Sequence, residues 1–342
     1  MGGDLGPEEV VAAGSRAIRH LDKVGKIIFV GDEAILNPLL EQHHLHRDKR
    51  VSVRHASEVI TMEDKPLQAF RRKKDSSMAR AIELLKEGET DFVISCGNTG
   101  SLIAGGTIRL RTLEGVDRPA LASVIPHAKG HFILLDVGAN PEARPEHLVH
   151  NAIMGANYAR VGLGVARPRV GLLTIGTEEG KGTERINETH QFLKKMGSLI
   201  DYAGPIEGFQ IFENKVDVVV CDGFVGNILL KTCESLFKHL TGTLRQELTK
   251  NFIRKMGVLL TRGAFRSVKN TFSPEKYSGA PLLGLRGNIL KAHGSSNREA
   301  IHGAIRVASE IVAREMNNQI IADIREANQL MAPAPSLDPV SS

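Results

Sequence analysis

The fold is decided by the stretch VDVVVCDGFVGNILLK at residues 216–231. Four of its first five residues are valines, a β-branched run that is typical of a strand buried on both faces of a parallel sheet. The strand stops at Asp222, and Gly226-Asn227 stands immediately before a helical pattern. A strand, a glycine turn and a helix start direct several backbone N–H groups at whatever lies above the strand end. Such an edge suits an anion, although an ordinary strand–helix turn whose glycines only relieve strain would have the same sequence.

The same arrangement occurs twice more along the chain. Residues 92–95 (FVIS) lead into CGNTG, and residues 132–135 (FILL) lead into DVGAN. The carboxyl ends of the strands in a doubly wound sheet share one crevice, which is where ligands bind. Three polar strand ends with glycine beside asparagine therefore predict one composite site. Besides Gly226 and Asn227, the residues that would form it are Asn98, Thr99, Gly100, Asp136 and Asn140.

The rest of the chain alternates between predicted strands and predicted helices. Strands are expected at residues 26–30, 51–56, 120–125, 131–135, 169–175, 199–203, 282–285 and 288–292. Helices are expected at residues 7–21, 33–42, 66–74, 78–86, 98–111, 145–161, 183–196 and 297–329. This alternation favours an α/β fold with a largely parallel sheet and helices on both of its faces.

From residue 228 to about residue 272 the pattern changes to long helices, at 229–248 and 252–269. The second of these, FIRKMGVLLTRGAFRSVK, mixes apolar side chains such as Leu259, Leu260 and Phe265 with arginines and lysines. This composition is typical of a helix or hairpin tip that lies in a membrane interface, and packing between two copies of the chain would also select it. The last residues, 332–342 (APAPSLDPVSS), are expected to be disordered.

The composition is that of a soluble globular protein, with 42% hydrophobic and 24% charged residues among 342. No apolar run approaches the roughly 20 residues of a membrane span, and no signal peptide opens the sequence. Three scattered cysteines are too few for a disulfide framework or a zinc site, so we expect no metal and a reducing, cytosolic compartment. A net charge of +5 favours acidic partners, namely anionic lipid, an acidic carrier protein or nucleic acid. Nucleic acid ranks last because aromatic side chains, which would stack on bases, make up only 4% of the chain.

Two polar side chains stand in turns where they could take part in chemistry. Lys181 lies between two glycines in the turn GTEEGKG (residues 176–182), so it could hold a phosphate or a developing oxyanion. A plain surface lysine would fit the same pattern. His293 begins the turn HGSS, which also contains Ser295, and could donate a proton or a hydrogen bond at the crevice. A structural histidine bonded to the backbone is the alternative.

A basic run and a cysteine raise two further possibilities. The run RRKK at residues 71–74 precedes Ser76 and Ser77, which can cap a helix, so this corner could hold a phosphate or could be a solvated helix end. Cys221 could be an acyl-accepting nucleophile, but its place at a strand end favours a small buried residue. No Walker loop, HExxH, GxSxG or CxxC pair occurs.

Eight motifs follow one another along the chain: MGGDLGP, KKDSSM, ISCGNTGSLIAGG, LLDVGAN, VGLLTIGTEEGKG, VVVCDGFVGNILLKT, YSGAPLLGL and AHGSS. In this order they resemble the bacterial phosphate acyltransferases, the acyl-carrier-protein:phosphate acyltransferases of phospholipid synthesis. The resemblance covers about residues 1–330. It implies a Rossmann-like fold akin to phosphotransacetylases and isocitrate dehydrogenases, with one domain at 1–331 into which a helical hairpin at about 228–272 is inserted. It also implies a homodimer that attaches peripherally to the membrane.

The activity that the resemblance implies is reversible transfer of a fatty acyl group from acyl carrier protein to inorganic phosphate, without a cofactor. The acyl phosphate then passes to a membrane glycerol-3-phosphate acyltransferase. Phosphate is already a nucleophile and a thiolate is a fair leaving group, so the enzyme must position two anions and stabilise an oxyanion. We therefore expect direct transfer without an acyl-enzyme, with catalytic roles for Lys181, Asn227 and His293. The expected substrate-binding residues are Gly3, Asp4, Ser76, Ser77, Asn98, Thr99, Gly100, Asp136, Asn140, Gly226 and Ser295. The expected membrane-docking residues are Leu259, Leu260 and Phe265.

Two other functions stay open. One is a nicotinamide-dependent dehydrogenase of the same fold, which is disfavoured because no GxGxxG follows the first strands. The other is a membrane-docked scaffold of lipid synthesis without activity. The family pattern usually has a short apolar strand ending in Asp-Ala before MGGD, and the final dozen residues here match nothing in it. We accordingly expect the sheet to lack an inner strand, and a chain extended upstream by that strand to be more stable.

Overall fold

The computed structural model of the chain describes residues 1–178, 181–272 and 279–332. Within these residues the strands are β1 (Ile27–Gly31), β2 (Val51–His55), β3 (Phe92–Ser95), β4 (Ala120–His127), β5 (Gly130–Leu135), β6 (Arg169–Thr174), β7 (Asp201–Glu207), β8 (Val218–Val220), β9 (Ala280–Leu283) and β10 (Asn288–Lys291). The helices are α1 (Pro7–His20), α2 (Glu33–Gln42), α3 (Pro66–Arg72), α4 (Ser77–Lys86), α5 (Thr99–Leu110), α6 (Pro145–Leu163), α7 (Glu184–Lys194), α8 (Gly223–Leu248), α9 (Phe252–Leu260), α10 (Arg262–Thr271), α11 (Arg298–Ala313) and α12 (Met316–Met331). A 3₁₀ helix at Gly208–Phe212 follows β7.

Eight of the described strands form one sheet, in the order β3-β10-β9-β4-β5-β8-β6-β7. The strands β5, β8, β6 and β7 are parallel to one another, and β10 is parallel to β3. Between these two groups, β9 and β4 pair in antiparallel fashion with their neighbours. The predicted α/β fold with a largely parallel sheet is confirmed.

The antiparallel pairs change where the strand ends point. Three successive antiparallel pairs, β10 with β9, β9 with β4 and β4 with β5, separate the two parallel groups. The strand β3 therefore runs in the direction opposite to that of β5 and β8. The turn after β3 therefore leaves the sheet at the edge opposite to the one at which β5 and β8 end. The prediction that all three strand ends share one crevice is wrong, and only those of β5 and β8 meet. Hydrophobic runs predict strands but not their direction.

The strands β1 and β2 pair with each other in parallel and are not hydrogen-bonded to the eight-stranded sheet within the described residues. The first residues of the chain lie between this pair and β3. The Met1 side chain fills the space beside Gly31 at the end of β1, and Gly3 packs against Cys96 after β3. The pair also has its own hydrophobic core, which it shares with α1, α2 and two isoleucines of α11.

The valine run at 218–220 lies inside the sheet, between β5 and β6, and is completely buried, as is Phe132–Leu135 of β5. Helix α6 covers one face and comes so close that a Cβ atom on Gly155 would lie 2.6 Å from Val218. The other face is covered by α4, α5 and the first turns of α8. Burial on both faces explains why the run is continuous rather than alternating.

The start of α8 differs from the prediction. The helix begins at Gly223 rather than at residue 228 or 229, because the Asp222 side chain caps it by accepting a hydrogen bond from the N–H of Val225 at 2.8 Å. Gly226 and Asn227 therefore belong to the helix and not to a turn before it. This places the Asn227 side chain on a rigid element.

Two predicted helices are each divided in the structure. The segment 252–269 forms α9 and α10, which meet at Thr261. The closing helix at 297–329 is interrupted where Glu315 adopts the left-handed conformation at φ 50°, which an α-helix cannot continue through. The break lets α11 pack on α1 while α12 packs on α6. Residues 333–342, for which disorder was predicted, lie outside the described residues.

No helix in the described ranges is both long and apolar enough to cross a bilayer. The helices α8 and α9 nevertheless carry much apolar surface. In α8 only Gly223 and Gly226 are buried, and in α9 no residue is. The predicted amphipathic hairpin at about 228–272 thus corresponds to α8 beyond its first turn, α9 and α10.

We expect the packing of α12 on α6 to contribute strongly to stability. Ile320→Ala removes a fully buried side chain from the largest core and should lower the free energy of unfolding by about 2–5 kcal/mol. Leu330→Ala, on the exposed side of the same helix, is the matched control and should cost less than about 1 kcal/mol. Urea unfolding followed by circular dichroism measures both. Equal losses would mean that α12 is held by something other than its buried stripe.

Candidate active site

The buried carboxylate of Asp136 organises the loop that follows β5. It accepts hydrogen bonds from the backbone N–H groups of Leu121, Gly138, Ala139 and Asn140 at 2.6–3.1 Å. Burial raises the pKa of this carboxyl group, and the four N–H donors oppose that rise because they favour the anion. The carboxylate therefore shapes the loop, with its oxygens turned to the backbone around it.

Asn140 joins this loop to the start of α8. Its side-chain amide donates to the Pro119 carbonyl at 2.6 Å, and its own carbonyl accepts the N–H of Gly223 at 2.8 Å. Gly226, one turn of α8 further on, comes so close to the loop that a Cβ atom would lie 1.9 Å from the Asp136 carbonyl oxygen. Only glycine fits at that position.

Asn227 is exposed and packs beside Gly138, where a Cβ atom would lie 3.7 Å from the asparagine side chain. The turn that carries Lys181 follows β6, the next strand but one from β5, at the same edge of the sheet. Asp136, Asn140, Gly226, Asn227 and Lys181 therefore belong to one group, which we call the strand-edge cluster.

The Lys181 side chain is exposed and forms an ion pair with Glu178 within its own turn. Residues 179 and 180 of that turn lie outside the described residues. Gly182 adopts φ 107°, a conformation that favours glycine, and Thr183 then caps α7 by accepting from the N–H of Ile186. The ammonium group thus lies at the surface, paired with Glu178, on a short turn that leads directly into α7.

A second group forms around the first residues of the chain and the turn after β10. We call it the N-terminal cluster; it comprises Gly3, Asp4, Ser76, Ser77, Asn98, Thr99, Gly100, His293 and Ser295. Its members are linked by several contacts. The N–H of Asp4 donates to the Gly294 carbonyl at 2.8 Å. Met62 links Asn98 to the same glycine: its carbonyl accepts a hydrogen bond from Asn98, and its side chain packs at Gly294.

His293 is exposed, and its ring orientation is fixed by Ser295. The backbone N–H of Ser295 donates to Nδ1 at 3.2 Å, and the hydroxyl of the same serine lies 2.8 Å from Nδ1. An accepting Nδ1 means that the neutral ring carries its hydrogen on Nε2. His293 therefore presents an N–H donor away from the turn.

Asn98 and Ser76 have structural hydrogen bonds in this cluster. The Asn98 amide nitrogen donates to the carbonyls of Thr61, Met62 and Asp64, and its oxygen caps α5. The hydroxyl of Ser76, fully buried, caps α4. Ser77, Thr99 and Gly100 are half-buried beside these caps. Direct contact of the two capping side chains with a substrate stays a prediction.

Lys291, at the end of β10, was not predicted from the sequence and is added here to the N-terminal cluster. Its side chain is only 9% exposed, and its ammonium group donates to the carbonyls of Cys96 and Ala292. Burial lowers the pKa of Lys291 to about 8; the nearby Cys96 and Asp4 oppose this shift, and the positive charge of Lys231 adds to it. The sequence does contain a signal for Lys291, because this lysine stands within the otherwise apolar strand pattern NILKA at residues 288–292.

The two clusters flank the first turns of α8. The helix starts in the strand-edge cluster, Leu229 and Leu230 pack on the core below it, and Lys231 interacts electrostatically with Lys291 of the N-terminal cluster. The eight helical rises from Gly223 to Lys231 span roughly 12 Å. The predicted catalytic residues are therefore divided, with Lys181 and Asn227 in one cluster and His293 in the other.

Cys221 does not have the properties of a nucleophile. It is buried, its Sγ atom faces the Asp136 carbonyl at 3.7 Å, and burial raises the pKa of the thiol well above its usual value. The thiol therefore stays protonated at neutral pH, and the thiolate is the reactive form. Within the described ranges, no three or more His, Cys, Asp or Glu side chains are grouped as a metal site.

The sequence matches a family described as "Fatty acid synthesis protein" over residues 1–319. Proteins named phosphate acyltransferase are similar to it along almost the whole chain. The one from Syntrophotalea carbinolica is 43% identical over 328 residues, which cover 96% of this chain and 93% of that protein. The one from Desulfitobacterium hafniense strain Y51 is 44% identical over 313 residues, covering 91% and 92%. The chain belongs to the phosphate acyltransferase family.

It is therefore an enzyme of the acyltransferase class, as predicted from the order of its motifs. Solved structures support the fold alone. A phosphotransacetylase from Streptococcus pyogenes has a TM-score of 0.59 at 16% identity and covers 90% of this chain and 92% of its own. A branched-chain phosphotransacylase from Enterococcus faecalis V583 has a TM-score of 0.53 at 14% identity, with 91% and 96% covered.

The burial of Lys291 predicts a pH dependence of stability. With a pKa near 8 in the folded protein and the usual 10.5 when unfolded, this group binds more protons in the unfolded state between those pH values. The free energy of unfolding should therefore rise with pH across this window, by up to about 3 kcal/mol from this group. In Lys291→Met that rise should disappear.

Urea unfolding of parent and variant at pH 7.5 and pH 10 tests this, because other titrating groups cancel in the difference. Lys129→Met, in which an exposed lysine is removed, is the matched control and should follow the parent at both pH values. A constant difference between Lys291→Met and the parent would show that the lysine titrates normally.

Proposed function

We propose that the protein transfers a fatty acyl group reversibly from acyl carrier protein to inorganic phosphate, giving acyl phosphate for phosphatidic acid and phospholipid synthesis. The observation that carries the proposal is the similarity to phosphate acyltransferases over more than nine-tenths of the chain. The family description, which refers to fatty acid synthesis, supports the fatty nature of the acyl group. No observation in the described residues favours a dehydrogenase or a scaffold.

In the proposed reaction a phosphate oxygen attacks the thioester carbonyl carbon. A carbon–oxygen bond forms, the carbonyl oxygen becomes an oxyanion, and the carbon–sulfur bond then breaks to release the pantetheine thiolate. Lys181 and Asn227 are exposed donors of the strand-edge cluster and stabilise the oxyanion and the incoming phosphate. His293 lies in the N-terminal cluster, on the other side of the first turns of α8, so we assign its Nε2–H group to a substrate phosphate rather than to the departing sulfur. The glycine turns and side chains named as substrate-binding residues complete the site.

Direct transfer needs no nucleophilic side chain, and the chemistry of Cys221 supports that route. A protonated, buried thiol cannot accept the acyl group at neutral pH. Positioning and charge stabilisation are then the whole of the catalytic task. No cofactor enters the proposed reaction.

The proposed partners follow from charge and from the product. The net charge of +5 suits an acidic carrier protein, whose docking would be steered by this field. A labile, hydrophobic acyl phosphate requires delivery to a membrane glycerol-3-phosphate acyltransferase, which gives membrane attachment a purpose. The protein is accordingly proposed to be cytoplasmic and peripherally bound to the membrane.

The hairpin offers one surface for each of two proposed associations. Leu236, Leu240 and Leu244 form an exposed stripe on α8 at a spacing of four residues, which suits packing against a second copy in a homodimer. Leu259 and Leu260 are 59% and 85% exposed at the end of α9, close to Arg262, and suit insertion into an anionic membrane. Phe265 of α10 is half-buried and contributes less to such a tip.

The activity is tested with acyl carrier protein loaded with a fatty acyl thioester, inorganic phosphate, and detection of acyl phosphate. Lys181→Ala and Asn227→Ala should each lower kcat by about 100-fold or more, the usual cost of removing an oxyanion donor. Cys221→Ala should change kcat little. A Cys221→Ala protein that is folded but inactive, or an acylated Cys221, would overturn direct transfer.

The same assay separates the alternatives. A dehydrogenase would change NAD(P)H absorbance and form no acyl phosphate, and a scaffold would do neither. Either result would contradict the proposed function.

Membrane docking is tested by co-sedimentation with phosphatidylglycerol vesicles. The triple variant Leu259→Ser, Leu260→Ser, Phe265→Ser should lose binding but keep the activity measured without membranes. High salt should weaken binding of the parent, since each cation near the surface contributes about 1 kcal/mol.

The matched control is Leu236→Ser, Leu240→Ser, Leu244→Ser, three apolar side chains on the α8 stripe. It should shift the mass measured by light scattering from dimer to monomer, while the tip variant stays dimeric. If instead the tip variant becomes monomeric, or still sediments with vesicles, α9 and α10 belong to the subunit interface.

A further inference from the structure

Three neighbouring parallel strands, β5, β8 and β6, each lead into a segment that carries a residue of the strand-edge cluster. Asn140 lies in the loop after β5, Asn227 in the helix after β8, and Lys181 in the turn after β6. The positions of Lys181 and Asn227 relative to each other depend on how these three segments are tied together. No such tie was predicted from the sequence.

One arginine joins all three segments: it lies in the third of them and contacts the other two. Arg185 lies in the first turn of α7, four residues after Lys181. Its Nη1 donates to the carbonyl of Ala143 in the segment after β5, at 3.1 Å. Its Nη2 donates to the carboxylate of Asp222, which caps α8, at 2.5 Å. The planar fork of an arginine can hold two such acceptors in fixed directions, which a lysine cannot do.

The carboxylate of Asp222 is shared between two tasks. One oxygen accepts the bond from Arg185, and the other accepts the N–H of Val225 in the first turn of α8 at 2.8 Å. The side chain of Asp222 is only 7% exposed, so its charge is largely removed from water. The same buried carboxylate therefore holds both the ion pair with Arg185 and the cap that fixes the first residue of α8.

The backbone closes this arrangement into a ring. Gly223, next to Asp222, donates to the Asn140 carbonyl, and Asn140 lies three residues before Ala143. The loop after β5 and the start of α8 are thus joined directly. Arg185 adds the start of α7, and with it the turn that carries Lys181.

We propose that Arg185 is a positioning residue, which sets the distance between Lys181 and Asn227 by joining the starts of α7 and α8 to the loop after β5. This inference rests on the proposed function, in which Lys181 and Asn227 stabilise the same transition state. Loss of the fork should let the Lys181 turn shift relative to Asn227. Misplacement by about 1 Å costs up to about 100-fold in rate, so kcat should fall while KM changes little.

Arg185 could affect the enzyme by positioning Lys181 or only by compensating the buried charge of Asp222, and two variants separate these effects. Arg185→Gln should lower kcat by about 10- to 100-fold, and it should also lower Tm because Asp222 loses its cation. The double variant Arg185→Gln, Asp222→Asn removes the buried charge while an amide oxygen can still cap Val225. Tm should then recover, whereas kcat should stay low. Recovery of kcat together with Tm would overturn the positioning role.

A matched control exists at the amino ends of the same strands. Arg169 pairs with Asp217 at 3.0 Å and also donates to the Asn214 carbonyl at 3.0 Å, so it has the same kind of contacts at the edge away from the cluster. Arg169→Gln should lower Tm but leave kcat within about twofold of the parent. An equal loss of kcat in Arg169→Gln would overturn the inference.

A second measurement does not depend on activity. Hydrogen exchange at residues 183–187, the start of α7, should become faster in the double variant than in the parent and stay unchanged in Arg169→Gln. Unchanged exchange in the double variant would overturn the positioning role. A parent protein that forms no acyl phosphate would instead overturn the proposed function, and the exchange result would still decide the role of Arg185.

Discussion

The strand-edge cluster depends on a backbone contact that only glycine permits. The first turn of α8 lies directly on the carbonyl of Asp136, at a point where any side chain on Gly226 would occupy the same space. That closeness places Asn227 beside Gly138 and lets Gly223 bond to Asn140. The Asp136 carboxylate, bonded to four backbone N–H groups, holds the loop in the shape that α8 requires. Helix, loop and buried carboxylate therefore form one unit.

The sequence predicted the elements of the fold well, because periodic burial is a local property. The valine run became a fully buried strand, and the α/β alternation is seen throughout the described residues. It did not predict strand direction, which depends on the antiparallel pairing of β9 and β4 across distant parts of the chain. The divided helices were also missed, since Glu315 in its left-handed conformation has no distinctive local sequence.

The candidate site could be predicted in part. Glycine beside asparagine marked the loop after β5 and the first turns of the helix after β8, and the structure brings these two segments together through Gly138, Gly223 and Gly226. The predicted capping of α4 by Ser76 is confirmed, whereas Asn98 was chosen for its chemistry and the structure uses it to cap α5. Lys291 and Arg185 were missed because their importance comes from burial and from partners far away in the sequence. Polar residue types can be found in a sequence, but their hydrogen-bond partners cannot.

The hairpin has a mechanical consequence for the site. Helix α8 is continuous from its buried first turn to Leu248, so its 26 residues form a rod of roughly 39 Å. The first two turns are anchored, by the buried Gly223 and Gly226 and by Leu229 and Leu230 on the core, and most of the helix beyond them is exposed. A tilt of about 5° at that anchor would displace the far end by roughly 3 Å over such a length. Conversely, whatever restrains the far end also restrains the tilt of the turn that carries Asn227. Any tilt of α8 would therefore change the outer surface of the hairpin and the geometry of the strand-edge cluster together.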